Sequence, residues 1–261
     1  MIRQDRTMPT LRHAPWTIHE LSFEADGPFS DLAFEEAMYT FGEQCGTTGF
    51  LRLWYPSSVY VVLGVGQKVA QDVRLAECQK DGVTILRRFS GGGTVLHSPG
   101  QVCFSLYLPY FFDENLRDVR HSYDIIFRKL EPAFAAAGIA LEFHEPCDFA
   151  AKGMKISGNA QRRGRSGLLH HGTLLVNCNT DAFARYLNEP DKRPEYRKER
   201  THGQFVTTLA RLGFTGNPMD AGVLLRNAIS PLAIDVPQDV IGLTERLKDA
   251  KYTRPEWNLR R

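Results

Sequence analysis

The chain has 261 residues, 43% hydrophobic and 24% charged, which excludes a disordered, collagen-like or coiled-coil protein. Lys+Arg 32 against Asp+Glu 30 leaves a net charge of +2, so no global field draws nucleic acid or an anionic membrane. No apolar run nears the roughly 18 residues of a membrane span, and no secretory-type apolar core opens the chain; a cytoplasmic protein is expected. Residues 1–16, with Arg3, Arg6, Arg12, Pro9 and Pro15, read as an N-terminal arm, frayed over 1–15, and a single domain is expected over 17–261. Leu32, Ala33, Ala37 and Phe41 predict a helix from about Asp31 with Ser30 as its N-cap. Val59–Gly64 predicts a buried strand, and Gln101–Leu108 a half-buried one with Val102, Phe104, Leu106 and Leu108 facing one way. A helix is predicted over 122–137, kinked at Pro132, then a strand over Leu168–Val176 and a helix around Phe183–Leu187. Residues 188–202, a mixed charge run with two prolines, predict a long surface loop. Without a regular βαβ rhythm, the class is α+β.

The five cysteines are scattered with no C-x-x-C pair, which excludes a disulfide framework and a thiolate zinc finger. The most informative stretch is Arg87-Arg88-Phe89-Ser90-Gly91-Gly92-Gly93-Thr94-Val95-Leu96-His97. An ordered glycine costs about 1 kcal/mol relative to alanine in regular structure, so three in a row ask for a reason. A loop whose bare N–H groups approach an anion, with arginine charge beside it, supplies one. The bland alternative is a hairpin turn between Val83–Leu86 and Thr94–Leu96. Neither the Walker A spacing nor the dinucleotide fingerprint is present.

Lys155-Ile156-Ser157-Gly158-Asn159-Ala160 follows, then the basic turn Arg162–Arg165 and His170-His171-Gly172-Thr173. A lysine among small residues can reach a carbonyl or phosphate as a point charge. Adjacent histidines in a strand point to opposite faces, so the pair reads as core or wall rather than a metal site.

These three motifs in order resemble the lipoate–protein ligase A family, part of a wider group with biotin–protein ligases and octanoyltransferases; the resemblance extends over nearly all of the chain after about residue 17. It implies an α+β catalytic domain with a mixed or antiparallel central sheet flanked by helices. It further implies ATP-dependent activation of lipoate or octanoate to an acyl adenylate, and transfer to a lysine of a lipoyl carrier protein. By matched position, Arg88, Gly93, Thr94, Val95 and Leu96 would hold the nucleotide, with Lys155 bridging the acyl carbonyl and the phosphate as the catalytic group. Arg87, Ser90, Gly91, Gly92, His97, Ser157, Gly158, His171, Gly172 and Thr173 would bind substrate. Mg²⁺ is expected with ATP, held by phosphates and water rather than by assigned side chains. The accessory C-terminal domain of many such ligases is expected to be absent, its role residing in a separate chain or being dispensable. An alternative is a cofactor-free octanoyltransferase with Cys147 as thioester nucleophile. The turn Arg162–Arg165 and the loop 188–202 are candidate carrier contacts.

Overall fold

The computed structural model describes residues 16–190 and 193–260. Of the expected N-terminal arm, residues 1–15 lie outside the described residues. Trp16 belongs to the fold and stacks on Phe112 with ring centroids 5.5 Å apart. The strands are β1 (Ile18–Leu21), β2 (Gly49–Trp54), β3 (Tyr60–Leu63), β4 (Thr84–Arg87), β5 (Val95–His97), β6 (Gln101–Pro109), β7 (Glu142–His144), β8 (Asp148–Ala151), β9 (Met154–Arg163), β10 (Gly167–Leu175) and β11 (Leu232–Ile234). The helices are α1 (Pro28–Cys45), α2 (Val69–Asp72), α3 (Leu75–Asp81), α4 (Val119–Ala136), α5 (Asp181–Tyr186), α6 (His202–Phe205), α7 (Pro218–Ile229), α8 (Gln238–Leu247) and α9 (Pro255–Asn258).

The expected α+β class is observed, with two sheets. The larger runs β11-β1-β2-β6-β10-β9-β8-β7, with β1 parallel to both neighbours and the other pairs antiparallel. The smaller is β4-β3-β5, with β4 parallel and β5 antiparallel to β3. All of β6 is buried, which corrects the half-buried expectation. Val102, Phe104, Leu106 and Leu108 do face one way, into a core shared with Ile126, Leu130 and Phe134 of α4 and Leu225 and Ile229 of α7. Tyr107 faces the other way, among Phe34, Ala37 and Met38 of α1 and Val240 of α8. Alternation here separates two cores rather than core from water.

Helix α1 begins at Pro28 with Gly27 at the N-cap. Ser30 is therefore inside the first turn, where its hydroxyl donates to Asp26, and the expected Ser30 cap is replaced by a proline start. Arg52 of β2 has no solvent exposure and donates to the Asp31 carbonyl at 2.8 Å and carboxylate at 2.6 Å. Its guanidinium lies 4.7 Å from the ring centroids of Phe34 and Trp54, fastening α1 to the large sheet. Helix α4 runs through Pro132 to Ala136.

Both β4 and β5 pair with β3 and not with each other, so the triple-glycine segment between them is no hairpin turn. It approaches the chain just after β3 so closely that a Cβ on Gly64 would lie 2.0 Å from the Gly92 carbonyl oxygen. Gly64→Ala is expected to cost about 1–3 kcal/mol, because backbone must yield. Gly91→Ala, where a Cβ meets nothing within 4 Å, should stay within about 0.5 kcal/mol of the parent. Urea unfolding of the two variants side by side checks the contrast.

Candidate active site

A cleft of about 680 Å³, open mouth included, lies on the α1 side of the large sheet where β8, β9 and β10 face the small sheet. Leu32, Trp54, Val62, Val95 and Ala160 give it apolar walls; Glu35, Arg88, Asp148 and Lys155 bring charge. An apolar recess with a few placed polar groups is the usual form of a small-molecule site.

Lys155 stands near the start of β9, its carbonyl accepting from the Thr207 N–H at 2.9 Å. Its Nζ lies 2.6 Å from Asp148 Oδ1 on β8, and Asp148 Oδ2 accepts from the Tyr196 hydroxyl at 2.9 Å. Burial and the Asp148 carboxylate push the Tyr196 phenol up, so it stays a donor. The Tyr196 ring stacks on His144 at 4.0 Å. Gly158 gives the amine room, since a Cβ there would sit 3.1 Å from Lys155 Cε and Nζ. An ammonium has three N–H groups, so the ion pair leaves donors for an incoming anion.

Arg88, at the end of β4, turns inward. Its Nη2 donates to the Gly91 and Gly93 carbonyls at 2.6 and 2.8 Å, and its Nε to Ser90 Oγ at 3.0 Å. Burial draws its pKa down to about 10, which leaves it a cation at neutral pH. The guanidinium thus shapes the loop by holding its carbonyls, while the N–H groups of Gly91, Gly92 and Gly93 meet no protein acceptor among the described residues. Thr94 Oγ1 donates to Asp72 of α2 at 2.9 Å, tying down the loop exit.

A buried polar bridge joins the two sheets. Ser90 Oγ is 2.9 Å from His171 Nε2, His171 Nδ1 is 2.7 Å from Glu35 Oε1, and the same oxygen accepts from the Ser105 hydroxyl. Burial works to raise the Glu35 pKa, but His171, Ser105 and Arg88 outweigh it and hold the carboxyl below its ordinary value. His97 Nδ1 lies 3.0 Å from the Tyr60 hydroxyl. Burial lowers the His97 pKa to about 3, so its ring is neutral.

The cleft gathers most of the residues singled out in the sequence: Arg88, Gly93, Thr94, Val95, His97, Lys155, Gly158, His171, Gly172 and Thr173. His170 and His171 diverge as strand geometry requires, His170 packing among Phe104, Tyr123 and Phe149.

Five of the residues singled out have a setting other than the expected one. Arg87 is buried behind the cleft, its guanidinium donating to the carbonyls of Gly64, Gln67, Trp257 and Arg260, so it clasps the C-terminal segment rather than substrate. The side chain of Leu96 points into the apolar cluster of Val61, Leu63 and Cys78. Ser90 stands behind His171, and Ser157 Oγ donates to Asn159 Oδ1 at 3.2 Å. Cys147 does line the cleft, but burial and then Asp148 raise its thiol pKa, the opposite of an activated nucleophile. Sequence reasoning missed Glu35, Asp148 and Tyr196. Glu35 carried a signal, a carboxylate three residues after Leu32 on the same helical face.

The turn Arg162–Arg165 sits at the far end of β9, about 23 Å from Lys155 by strand rise. Arg163 is spent there on Gln161 and the Leu116 carbonyl. The segment around Tyr196 and Arg200, in contrast, packs beside Lys155, with Arg200 donating to the Gly153 carbonyl at 2.8 Å. Residues 191 and 192 of the loop 188–202 lie outside the described residues.

Fold and cleft together define an α+β domain with one small-molecule site set between two sheets. The chain belongs to the family described as the lipoyl protein ligase A/B catalytic domain, whose profile matches residues 27–221. A Mycoplasma pneumoniae protein named "Probable lipoate-protein ligase A" is 32% identical over 161 residues, 62% of this chain and 46% of the relative. The Mycoplasma genitalium counterpart is 30% identical over the same shares. The match thus spans about half the length of these curated relatives. Among solved structures, a bipartite lipoate protein ligase from Thermoplasma acidophilum, studied with its E2 lipoyl domain, superposes with a TM-score of 0.81. It is 22% identical, with 94% of this chain and 96% of that chain covered. A lipoate-protein ligase A bound with ATP gives 0.80 at 21% identity, with 93% and 98% covered. At these identities the likeness shows the fold. Among the described residues, no helix is long and apolar enough to cross a membrane.

Proposed function

We propose that this chain activates lipoate or octanoate with ATP, forming the acyl adenylate, and passes the acyl group to a lysine of a lipoyl carrier protein. The observation that carries the reading is one cleft in which Lys155 and Arg88 stand beside apolar walls and a glycine-rich loop with open N–H groups. Attack of a carboxylate on the α-phosphate brings two anions together. An arginine, backbone donors and a lysine fixed in advance stabilise the charge that develops. Lys155, held by Asp148, would bridge carboxylate and phosphate, and the side chains of Leu32, Trp54 and Val62 would take the aliphatic chain. The cleft's two carboxylates are already engaged, Asp148 by Lys155 and Tyr196, Glu35 by His171 and Ser105. Mg²⁺ would therefore be held by the nucleotide's phosphates and water, supplying charge neutralisation.

The matched names support the substrate class: one relative is bound with lipoic acid and another with ATP. The carrier partner is supported by the E2 lipoyl domain of the Thermoplasma system, and its bipartite make-up brings an accessory chain into the proposal. Carrier docking belongs to the segment around Tyr196 and Arg200 beside Lys155. The cytoplasmic location expected from the sequence belongs to the same reading. Octanoate-dependent ATP–pyrophosphate exchange tests the whole. Exchange by the isolated chain supports adenylation and removes the need for a second chain in that step. No exchange, with octanoyl carried onto Cys147 from an acyl carrier, would turn the assignment to the transferase.

A further inference from the structure

We infer that Glu35 is a positioning residue for the cationic wall of the cleft: acting through His171 and Ser90, it sets the orientation of Arg88. The inference rests on the proposed nucleotide role of Arg88 and extends it to a residue of α1 in the opposite wall.

The argument is a matter of proton order along five groups. The Arg88 Nε–H can only donate, and Ser90 Oγ accepts it at 3.0 Å. Having accepted, the Ser90 hydroxyl has its own proton to give, and His171 Nε2 stands 2.9 Å away. His171 Nε2 then accepts, so the ring proton is on Nδ1, which faces Glu35 Oε1 at 2.7 Å. The carboxylate closes the chain by accepting from Ser105 as well. The hydrogen bonds run in one direction, from the guanidinium, whose Nε–H is shared with the Gly91 carbonyl, to a carboxylate oxygen that accepts from both His171 and Ser105. An imidazolium would break this order, because Ser90 Oγ would receive two N–H groups while its own proton faced no acceptor. Arg88, Ser90, His171, Glu35 and Ser105 are each at most 7% exposed, so water does not offer an easy substitute.

The chain also crosses the cleft. Arg88 and Ser90 follow β4 of the small sheet, whereas His171 lies on β10, Ser105 on β6 and Glu35 on α1. A carboxylate fixed to the large sheet thereby fixes the rotation of a guanidinium on the small one. Without it, Arg88 keeps the Gly91 and Gly93 carbonyls, Gly91 also taking part of the Nε–H at 3.2 Å, but loses the shorter of the two Nε contacts, the one that ties it to the large sheet.

The test uses the full chain without ligand first. In ¹⁵N NMR of the unmodified protein, His171 should carry its proton on Nδ1 with Nε2 bare, and the Arg88 Nε–H should be resolved and protected from solvent exchange. In Glu35→Ala and in Ser90→Ala, that exchange should accelerate at least about tenfold, the scale of one lost hydrogen bond. ATP affinity should weaken about tenfold in each single variant and no further in the double, as expected for residues acting through one path. A proton on His171 Nε2, unchanged Arg88 Nε–H exchange in folded Glu35→Ala, or additive losses in the double variant would each overturn the inference. Should Glu35→Ala not fold, the tautomer and the Ser90→Ala exchange rate still decide it. Failure of the unmodified chain to bind ATP would strike the proposed function, while the tautomer and exchange measurements still decide the positioning of Arg88.

Discussion

Replacing Lys155 with alanine should lower octanoate-dependent ATP–pyrophosphate exchange by about two to three decades, the usual loss when one preorganised donor to a developing oxyanion is removed. The loss has two sources here. The ammonium no longer bridges carboxylate and phosphate, and Asp148, whose side chain is 5% exposed, keeps only Tyr196 as a partner and faces the incoming anions unneutralised. Lys155→Arg should not rescue. The amine packs over Gly158, where a Cβ alone would already stand 3.1 Å from it, so a larger planar head has no equivalent place. Lys155→Ala/Asp148→Asn should recover part of the activity lost by Lys155→Ala, because it withdraws the stranded charge. Steady-state exchange kinetics, with far-UV circular dichroism as the folding control, provide the measurement. Exchange by Lys155→Ala within tenfold of the parent would remove Lys155 from the chemistry.

Local motifs carried the chemistry into the sequence reading, and non-local pairing decided where it fell short. The strand at Val59–Gly64, the one-sided run of β6 and the helix after Leu175 were all legible from spacing. The arrangement of the glycine-rich loop was not, because nothing local says that β4 and β5 both pair with β3. Arg87 and Arg88 show a signal that was present and unread. Neighbours at a strand end point to opposite faces, so only one could enter the cleft, and the other found its carbonyls on a segment about 170 residues later. Val95, Leu96 and His97 repeat the lesson, the middle residue facing the core. Asp148 and Tyr196 were out of reach for another reason: their value comes from meeting Lys155 across separate segments, and neither sits in a motif.

Acid should destabilise the fold before most carboxylates titrate, and His170→Phe should make that fall shallower by about 1.4 kcal/mol per pH unit. His97 and His170 are buried, and burial draws both pKa values down to about 3, against about 6.5 in an unfolded chain. Between those values the unfolded chain binds one more proton per histidine than the native one. Stability therefore falls as pH drops, by about 1.4 kcal/mol per pH unit for each ring and about 2.7 for the two. Glu35, whose pKa is held low in the fold, acts in a different window: its contribution is full above the unfolded carboxyl value and fades only below it. Asp31, whose pKa burial raises, works in the opposite sense by taking up its proton in the fold first, and it does so equally in parent and variant, so over pH 6 to 4.5 the difference between their slopes reads His170. His170 is the ring to replace, since it lies outside the cleft among Phe104, Tyr123 and Phe149, and its Nε2 is buried without a hydrogen-bond partner. A phenyl ring there withdraws the unsatisfied Nε2 and keeps the aromatic packing, while giving up the long 3.4 Å contact of Nδ1 with Gln161 Nε2, so stability at pH 7 should hold within about 1 kcal/mol. Urea unfolding at half-unit steps across the interval should give a slope shallower by about 1.4 kcal/mol per pH unit for His170→Phe than for the parent. Parallel slopes would mean that the native state protonates His170 as readily as the unfolded chain does, and that the ring is not sealed from water as its surroundings require.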